Sequence, residues 1–171
     1  MKEKYDVPIA PLSEFVSYMM EQMSHFGLPC TEEQAKDFYL YYVHMIETNK
    51  YLNLTGITDM KEVVIKHMID SLSCYDPEII KSGMSIIDVG TGAGFPGIPL
   101  AIYNRNLKVT LFDSLKKRLN FLESVIDELK LTNCTTLHGR AEDLSHQDYR
   151  ESFDIATSRA VARLPIVLEW T

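Results

Sequence analysis

Residues 90–97 contain four glycines, Gly90, Gly92, Gly94 and Gly97, and they follow directly on the apolar run 85–89, which carries the carboxylate of Asp88 next to its end. Glycines between a strand and a helix permit positive φ and let a ligand press against bare backbone. The helix that follows presents unpaired N–H groups, which favour a carboxylate or phosphate. A second carboxylate, Asp113, ends the next apolar run, about 20 residues on, where a ribose diol is expected to be held. A third run ends in His138-Gly-Arg-Ala-Glu-Asp143. An acidic side chain there can accept a hydrogen bond from an adenine amino group, and the small Ala141 leaves room for the ring. A plain tight turn needs fewer glycines than this one has.

Two cofactors compete for such a site. Gly92-Ala-Gly94-Phe-Pro-Gly97 satisfies the dinucleotide fingerprint, with Asp113 as the ribose partner, so an NAD-dependent oxidoreductase is one reading. Charge favours the other. Beside a pyrophosphate the Asp88 carboxylate is repulsive, whereas beside the ammonium of a methionine moiety it is favourable, directly or through water. S-adenosyl-L-methionine also carries a carboxylate for the helix N-terminus and a ribose diol for Asp113. The expectation is therefore a methyltransferase, with Asp88 facing the crevice. A non-catalytic scaffold that docks to a partner is a third reading.

The elements that must hold these residues follow from hydrophobic period. From residue 84 onward, strands (85–89, 108–112, 134–137, 153–157) alternate with helices (96–103, 115–131). That alternation means βαβ units, a mostly parallel, doubly wound α/β sheet and right-handed crossovers. Residues 1–83 read as a helical N-terminal region ahead of the 84–171 core. Helical spacing of Phe15, Met19, Met23 and Phe26 predicts a first helix, ended by Gly27 and Pro29. Thr31-Glu-Glu-Gln34 reads as a capping box for a second helix, which carries Phe38, Tyr41, Tyr42, Met45 and Ile46 and breaks near Asn49. Asp59 with Glu62 opens a third, through Val63, Ile65, Met68, Ile69 and Leu72.

The bulk properties bound the function. The 171 residues make one domain with a helical extension, and 46% hydrophobic against 24% charged residues is ordinary for a soluble protein. No segment reaches the ~18–20 unbroken apolar residues of a membrane helix, and the start, Met-Lys-Glu-Lys-Tyr-Asp, is not a signal peptide. Cys30, Cys74 and Cys134 are odd in number and form no C-x-x-C pair, which fits a reducing cytoplasm and gives no zinc site. The five histidines (His25, His44, His67, His138, His146) are scattered without ligand spacing, so no metal site is expected. The net charge of −7 is concentrated in residues 1–100, so any nucleic-acid face must come mostly from the second half.

The string Asp88-Val-Gly-Thr-Gly-Ala-Gly-Phe-Pro-Gly-Ile-Pro-Leu-Ala101 resembles the corresponding segment of the bacterial RsmG (GidB) family. So do Asn53-Leu-Thr55, Lys66-His-Met-Ile-Asp-Ser-Leu72, Asp113-Ser-Leu-Lys-Lys-Arg-Leu-Asn-Phe-Leu122, Arg140-Ala-Glu142 and Ser158-Arg-Ala160. These motifs come in family order, and the Phe-Pro after the glycines is more diagnostic than the glycines themselves. The resemblance implies a class I, Rossmann-like methyltransferase that methylates guanine N7 at one nucleotide in the decoding-centre loop of 16S ribosomal RNA. It places cofactor contacts on Gly90, Phe95, Asp113, Ala141, Glu142 and Arg159, and we add Asp88, Gly92, Gly94, Ser114 and Leu115 from the same turns. The partner implied is 16S rRNA or the 30S ribosomal subunit.

Guanine N7 has an in-plane lone pair, so no proton must leave before it attacks, and positioning alone carries the chemistry. No catalytic base is therefore nominated. His67 and Asp70, spaced i, i+3 on one helix face, are candidates for site support, as is Arg159, for which a carboxylate or phosphate contact is expected. Lys116, Lys117 and Arg118, with Arg140 and Arg163, are candidates for RNA, and Phe95 or the tyrosines for base stacking. RsmG-like chains continue beyond Thr171, so the fourth strand is expected to form an apolar edge, with weak cofactor binding and poor RNA methylation.

Overall fold

The structure, a computed structural model, describes residues 7–140 and 152–159. Among the described residues, four parallel strands make the sheet: β1 (Ser85–Val89), β2 (Lys108–Asp113), β3 (Cys134–His138) and β4 (Ile155–Thr157), in the spatial order β3-β2-β1-β4. β1 thus has β2 on one side and β4 on the other, and the direction in which successive strands are added to the sheet reverses at β1. Ligands of open α/β sheets bind in the crevice at such a switch point, beyond the carboxyl ends of the strands. Register puts Val89 beside Phe112 and Asp113 beside His138, so the ends of β1, β2 and β3 fall close together. Asp154 ties on the short β4: its carboxylate accepts from Ser85 N–H and Oγ–H at 2.7 and 2.8 Å.

Six α-helical segments accompany the sheet. α1 (Leu12–His25) buries Phe15, Met19 and Met23, and Gly27, at φ +73°, ends it. α2 (Glu32–Leu52) opens on the expected capping box, with Gln34 N–H on Thr31 Oγ1 and Thr31 N–H on the Gln34 side chain. It does not break near Asn49 but runs on to Leu52. Asn49 is buried yet satisfied, because its side chain both donates to Thr55 C=O and accepts from Thr55 N–H, at 2.9 Å each.

The third expected helix begins as α3 (Met60–Val63), capped by Asp59, and ends as α4 (Asp70–Leu72). Between them Val64–Ile69 is π-helical, a geometry that single-residue period could not reveal and that recurs at functional sites. α5 (Gly97–Tyr103) and α6 (Lys116–Glu128) cross between strands and start or stop slightly inside the expected bounds.

One hydrophobic cluster joins Phe15, Tyr41, Tyr42 and Met68 of the helical region to Ile86, Leu111, Ile98 and Leu122 of the α/β region. The helical region and one face of the sheet therefore share a core. The other face carries a smaller cluster of Ile87, Val89 and Phe112.

Gly94 sits where these layers meet. It has φ +105°, and a Cβ there would lie within 2.7–2.9 Å of Ile98, Leu122 and the Tyr41 hydroxyl. Gly94→Ala is expected to destabilise the fold by ~2–4 kcal/mol, since both backbone strain and overpacking act. Denaturant unfolding checks it, and an unchanged midpoint would count against this packing.

Candidate cofactor and substrate crevice

A crevice of about 620 Å³ opens at the carboxyl ends of the strands, a size ordinary for small-molecule sites. Its wall on the β2 and β3 side is built from Gly90, Gly92, Asp113, Ser114, Gly139 and Arg140. Asp113 is nearly buried and its carboxylate is fixed at both oxygens. Oδ2 accepts from Gly92 N–H at 3.0 Å and Oδ1 from Leu115 N–H at 2.8 Å. At Gly92, φ is +61° and a Cβ would meet nothing nearer than 3.9 Å, so the backbone there stands open to a ligand. Ser114 faces the crevice, whereas Leu115 is exposed at the start of α6 and contributes its N–H to Asp113 rather than its side chain to the site.

Arg118 stands apart from the two lysines before it. Expected on an RNA-facing surface with Lys116 and Lys117, it lines the crevice and approaches Asp113 Oδ2 at 3.5 Å. Rotation of about 100° per residue within the first turn of α6 points the three side chains in different directions. Lys116 and Lys117 are exposed, and Lys116 pairs with Glu123 at 3.4 Å. Ala141, Glu142, Arg163 and His146 lie outside the described residues.

Asp88 departs from the expectation. It does not face the crevice: it is fully buried, and Oδ2 accepts from Thr91 Oγ1–H at 2.7 Å and from Gly97 N–H at 2.9 Å. The N-terminal N–H of α5, expected to meet a cofactor carboxylate, is thus already taken by a carboxylate of the protein. The physical reason is proximity, because the anion nearest a helix N-terminus in sequence satisfies it first. Oδ1 is buried without a partner among the described residues. Burial raises the Asp88 carboxyl from its ordinary 3.8 to about 6, against the lowering effect of the Thr91 and Gly97 hydrogen bonds and of Arg159. Gly94 is likewise corrected from ligand contact to packing position, closed off by Ile98 and Leu122.

The opposite wall comes from three distant segments: Leu54 and Thr55 before α3, His67 in the π-helical turn and Arg159 after β4, with Phe95 between them. Phe95 stacks on His67 (ring centroids 4.6 Å apart, 19° between planes), packs against Tyr41, and has the Arg159 guanidinium 5.0 Å from its ring centre. Those contacts hold it nearly buried, so base stacking on Phe95, one of the expected RNA contacts, is not what this geometry offers. Arg159 is engaged within the protein, donating to Asp70 Oδ2 at 2.8 Å and to Lys66 C=O and His67 Nδ1 at 3.2 Å each, an internal ion pair rather than the ligand carboxylate or phosphate expected of it.

The structure therefore brings His67 and Asp70, from the segment containing the π turn, together with Arg159 after β4. Burial and the Arg159 charge push the His67 imidazole down to about 4, so it is neutral at pH 7. Tyr41 closes the back of the site by donating to Ala93 C=O at 2.6 Å.

Thr55, Asn49 and Tyr41 were not singled out for the site by sequence. Asn49 carried a readable signal, since it follows Tyr42, Met45 and Ile46 at helical spacing and is the polar residue on an apolar face. Thr55 carried none beyond its place in the Asn53-Leu-Thr55 string.

An open parallel sheet of this order, with the glycine turn after β1 and an acid at the end of β2, is the class I, Rossmann-like S-adenosylmethionine-dependent methyltransferase fold. A Plasmodium falciparum chain described as a protein-L-isoaspartate O-methyltransferase, solved in complex with S-adenosyl-L-homocysteine, shares the fold with a TM-score of 0.56 at 21% identity, covering 90% of this chain and 77% of that one. Residues 34–171 match the family model GidB, rRNA small subunit methyltransferase G. This chain belongs to that family.

Among its relatives, the ribosomal RNA small subunit methyltransferase G of Leuconostoc mesenteroides is 46% identical over 155 residues, 89% of this chain and 65% of the relative. The Clostridium botulinum (strain Eklund 17B) protein of the same name is 47% identical over 158 residues, 92% and 66%. The chain thus spans about two thirds of the length of these curated relatives.

A raised carboxyl pKa in the folded state means that ionising Asp88 opposes folding. Its unfavourable contribution grows as pH rises from about 4 through about 6 and is complete above. In Asp88→Asn the amide oxygen keeps both accepted hydrogen bonds and no charge is buried. The variant is expected to gain stability relative to wild type between pH 5 and pH 7.5, by roughly 1–3 kcal/mol. Denaturant titrations at both pH values test this, and a stability difference that stays constant with pH would refute it.

Proposed function

We propose that this chain binds S-adenosyl-L-methionine in the crevice and transfers its methyl group to N7 of a guanosine in the decoding-centre loop of 16S rRNA, as free RNA or in the 30S subunit. The observation that carries the cofactor reading is the Asp113 carboxylate, held at the open end of β2 by Gly92 and Leu115 N–H groups. A carboxylate so fixed is ready to accept from both hydroxyls of a ribose. The bare backbone at Gly92 supports close approach of the methionine portion, and Ser114 and Gly139 line the crevice where an adenine would lie. Arg159, at the crevice wall, suits the carboxylate. Asp88 acts through its field and through the turn it braces, not by touching the ligand.

The cofactor would supply a methyl group already activated on a cationic sulfur. Guanine N7 needs no deprotonation, so what the protein contributes is alignment and a site free of competing water. His67, neutral and stacked on the nearly buried Phe95, adds no charge to its wall of the crevice. Arg140 is exposed at the rim, and Lys116 and Lys117 are exposed in the first turn of α6, where cations favour an RNA backbone. A cytoplasmic location follows from a ribosomal substrate, and among the described residues no helix is long and apolar enough to cross a membrane.

The NAD-dependent oxidoreductase reading loses its support. A pyrophosphate at the α5 N-terminus would find the Gly97 N–H taken and a carboxylate already in place, and the family of the chain is one of methyltransferases.

Calorimetry is expected to detect binding of S-adenosyl-L-homocysteine and none of NAD. Asp113→Ala should weaken that binding by about 10- to 100-fold, the loss of one or two strong hydrogen bonds. Labelled methyl donor with unmodified 30S subunits or 16S RNA should yield N7-methylguanine, read by chemical cleavage. Label appearing in protein and not in RNA would overturn the substrate.

A further inference from the structure

We propose that the Thr55 hydroxyl is an obligate hydrogen-bond donor into the crevice, positioned there to select guanine over adenine by donating to the base oxygen O6. The inference rests on the reading of the chain as a guanine-N7 methyltransferase.

The direction of this hydrogen bond follows from a chain of donors. A guanidinium only donates, so His67 Nδ1, 3.2 Å from the Arg159 guanidinium, must accept and carries no proton. The neutral ring therefore bears its proton on Nε2, and Nε2 lies 2.8 Å from Thr55 Oγ1. The same oxygen accepts from Ile57 N–H at 3.0 Å. A hydroxyl has two lone pairs and one proton. Both lone pairs are now engaged, and among the described residues no acceptor takes the proton.

Thr55 lines the crevice, so its O–H is left to a ligand. Its backbone is clamped at both ends by Asn49, which makes the donor rigid. Asp70 orients Arg159, and the burial that keeps His67 neutral stops the ring from donating at both nitrogens.

Such a group discriminates by sign. Guanine presents two acceptors on the edge that carries N7, namely N7 and O6, whereas adenine presents N7 and an amino donor. A hydroxyl whose lone pairs are both occupied can serve O6 and cannot accept from an adenine amino group. Its place also suits the methyl acceptor better than the cofactor's sugar. Thr55 is tied to the β4 side of β1 through His67 and Arg159, while Asp113 lies on the β2 side. His67 and Asp70 are then positioning residues for this donor, and Arg159, besides facing the cofactor, fixes the His67 ring through Nδ1.

The test compares wild type, Thr55→Val and Thr55→Ser on 16S RNA whose target nucleotide is guanine or 2-aminopurine, a base that keeps N7 and lacks O6. Wild type and Thr55→Ser should lose about 10- to 100-fold in kcat/KM on the analogue. Thr55→Val should be slowed by a similar factor on guanine and lose nothing further on the analogue. Affinity for S-adenosyl-L-homocysteine should stay within about twofold throughout.

Equal guanine and analogue sensitivity in wild type and Thr55→Val would overturn the inference. A fall in homocysteine-cofactor affinity parallel to the fall in transfer would also overturn it, since the hydroxyl would then serve the cofactor. Nitrogen-15 NMR of His67 supplies a readout independent of activity. A neutral ring protonated on Nε2 at pH 7 is expected, and a ring protonated on Nδ1 sinks the donor chain. A wild-type chain that binds no cofactor and methylates no RNA fails the functional reading instead.

Discussion

The glycine turn keeps its shape because a buried carboxylate is folded back into it. Asp88 ends inside the loop rather than outside it, gathering the Thr91 hydroxyl and the first N–H of α5 on one oxygen. Those two bonds decide where β1 stops, how residues 90–96 loop back, and where α5 begins. The turn is then tied sideways to β2 by Gly90 and Thr91 N–H on Phe112 C=O, and backwards to α2 by Tyr41 on Ala93 C=O. A buried charge is a costly brace. Its elevated pKa is the measure of that cost, and it persists where a loop must be rigid without a side chain filling the space a ligand needs.

Around this brace the crevice has two walls made by different means. The β2 and β3 wall is mainly backbone, with Gly92 and Leu115 N–H groups fixing one carboxylate. Backbone geometry there is set by parallel pairing, so this wall suits the invariant part of a cofactor. The β4 wall is mainly side chain, a relay from Asp70 through Arg159 and His67 to Thr55, with Phe95 stacked against it. Side chains can be exchanged without disturbing a sheet, and a wall of this kind suits discrimination among substrates. The π-helical turn at Val64–Ile69 lies where His67 must reach Thr55 and Arg159 at once.

Local chemistry was legible in the sequence to the extent that it is local. The capping box at Thr31, the apolar faces of α1 and α2, the alternation of strands and helices, and the acid ending each of the first strands all depend on neighbours a few residues away. Element ends were less legible, as at Asn49, where a buried amide is satisfied by a loop rather than by breaking the helix. The cationic run from Lys116 was read as one face, yet helical rotation splits it, turning Arg118 toward Asp113 and Lys116 toward Glu123.

By itself the sequence determined the parallel α/β architecture, the glycine turn after β1, the carboxylate ending β2 and the family, since these rest on period, spacing and residue type. Only the tertiary structure decided that Asp88 closes on its own turn, that Arg159 finds its carboxylate in Asp70, and that Thr55 has a proton to give. The reason is that a hydrogen bond's direction depends on what its partners are already bonded to. Those partners lie 12 residues apart between Thr55 and His67 and 92 apart between His67 and Arg159, so no local pattern contains them.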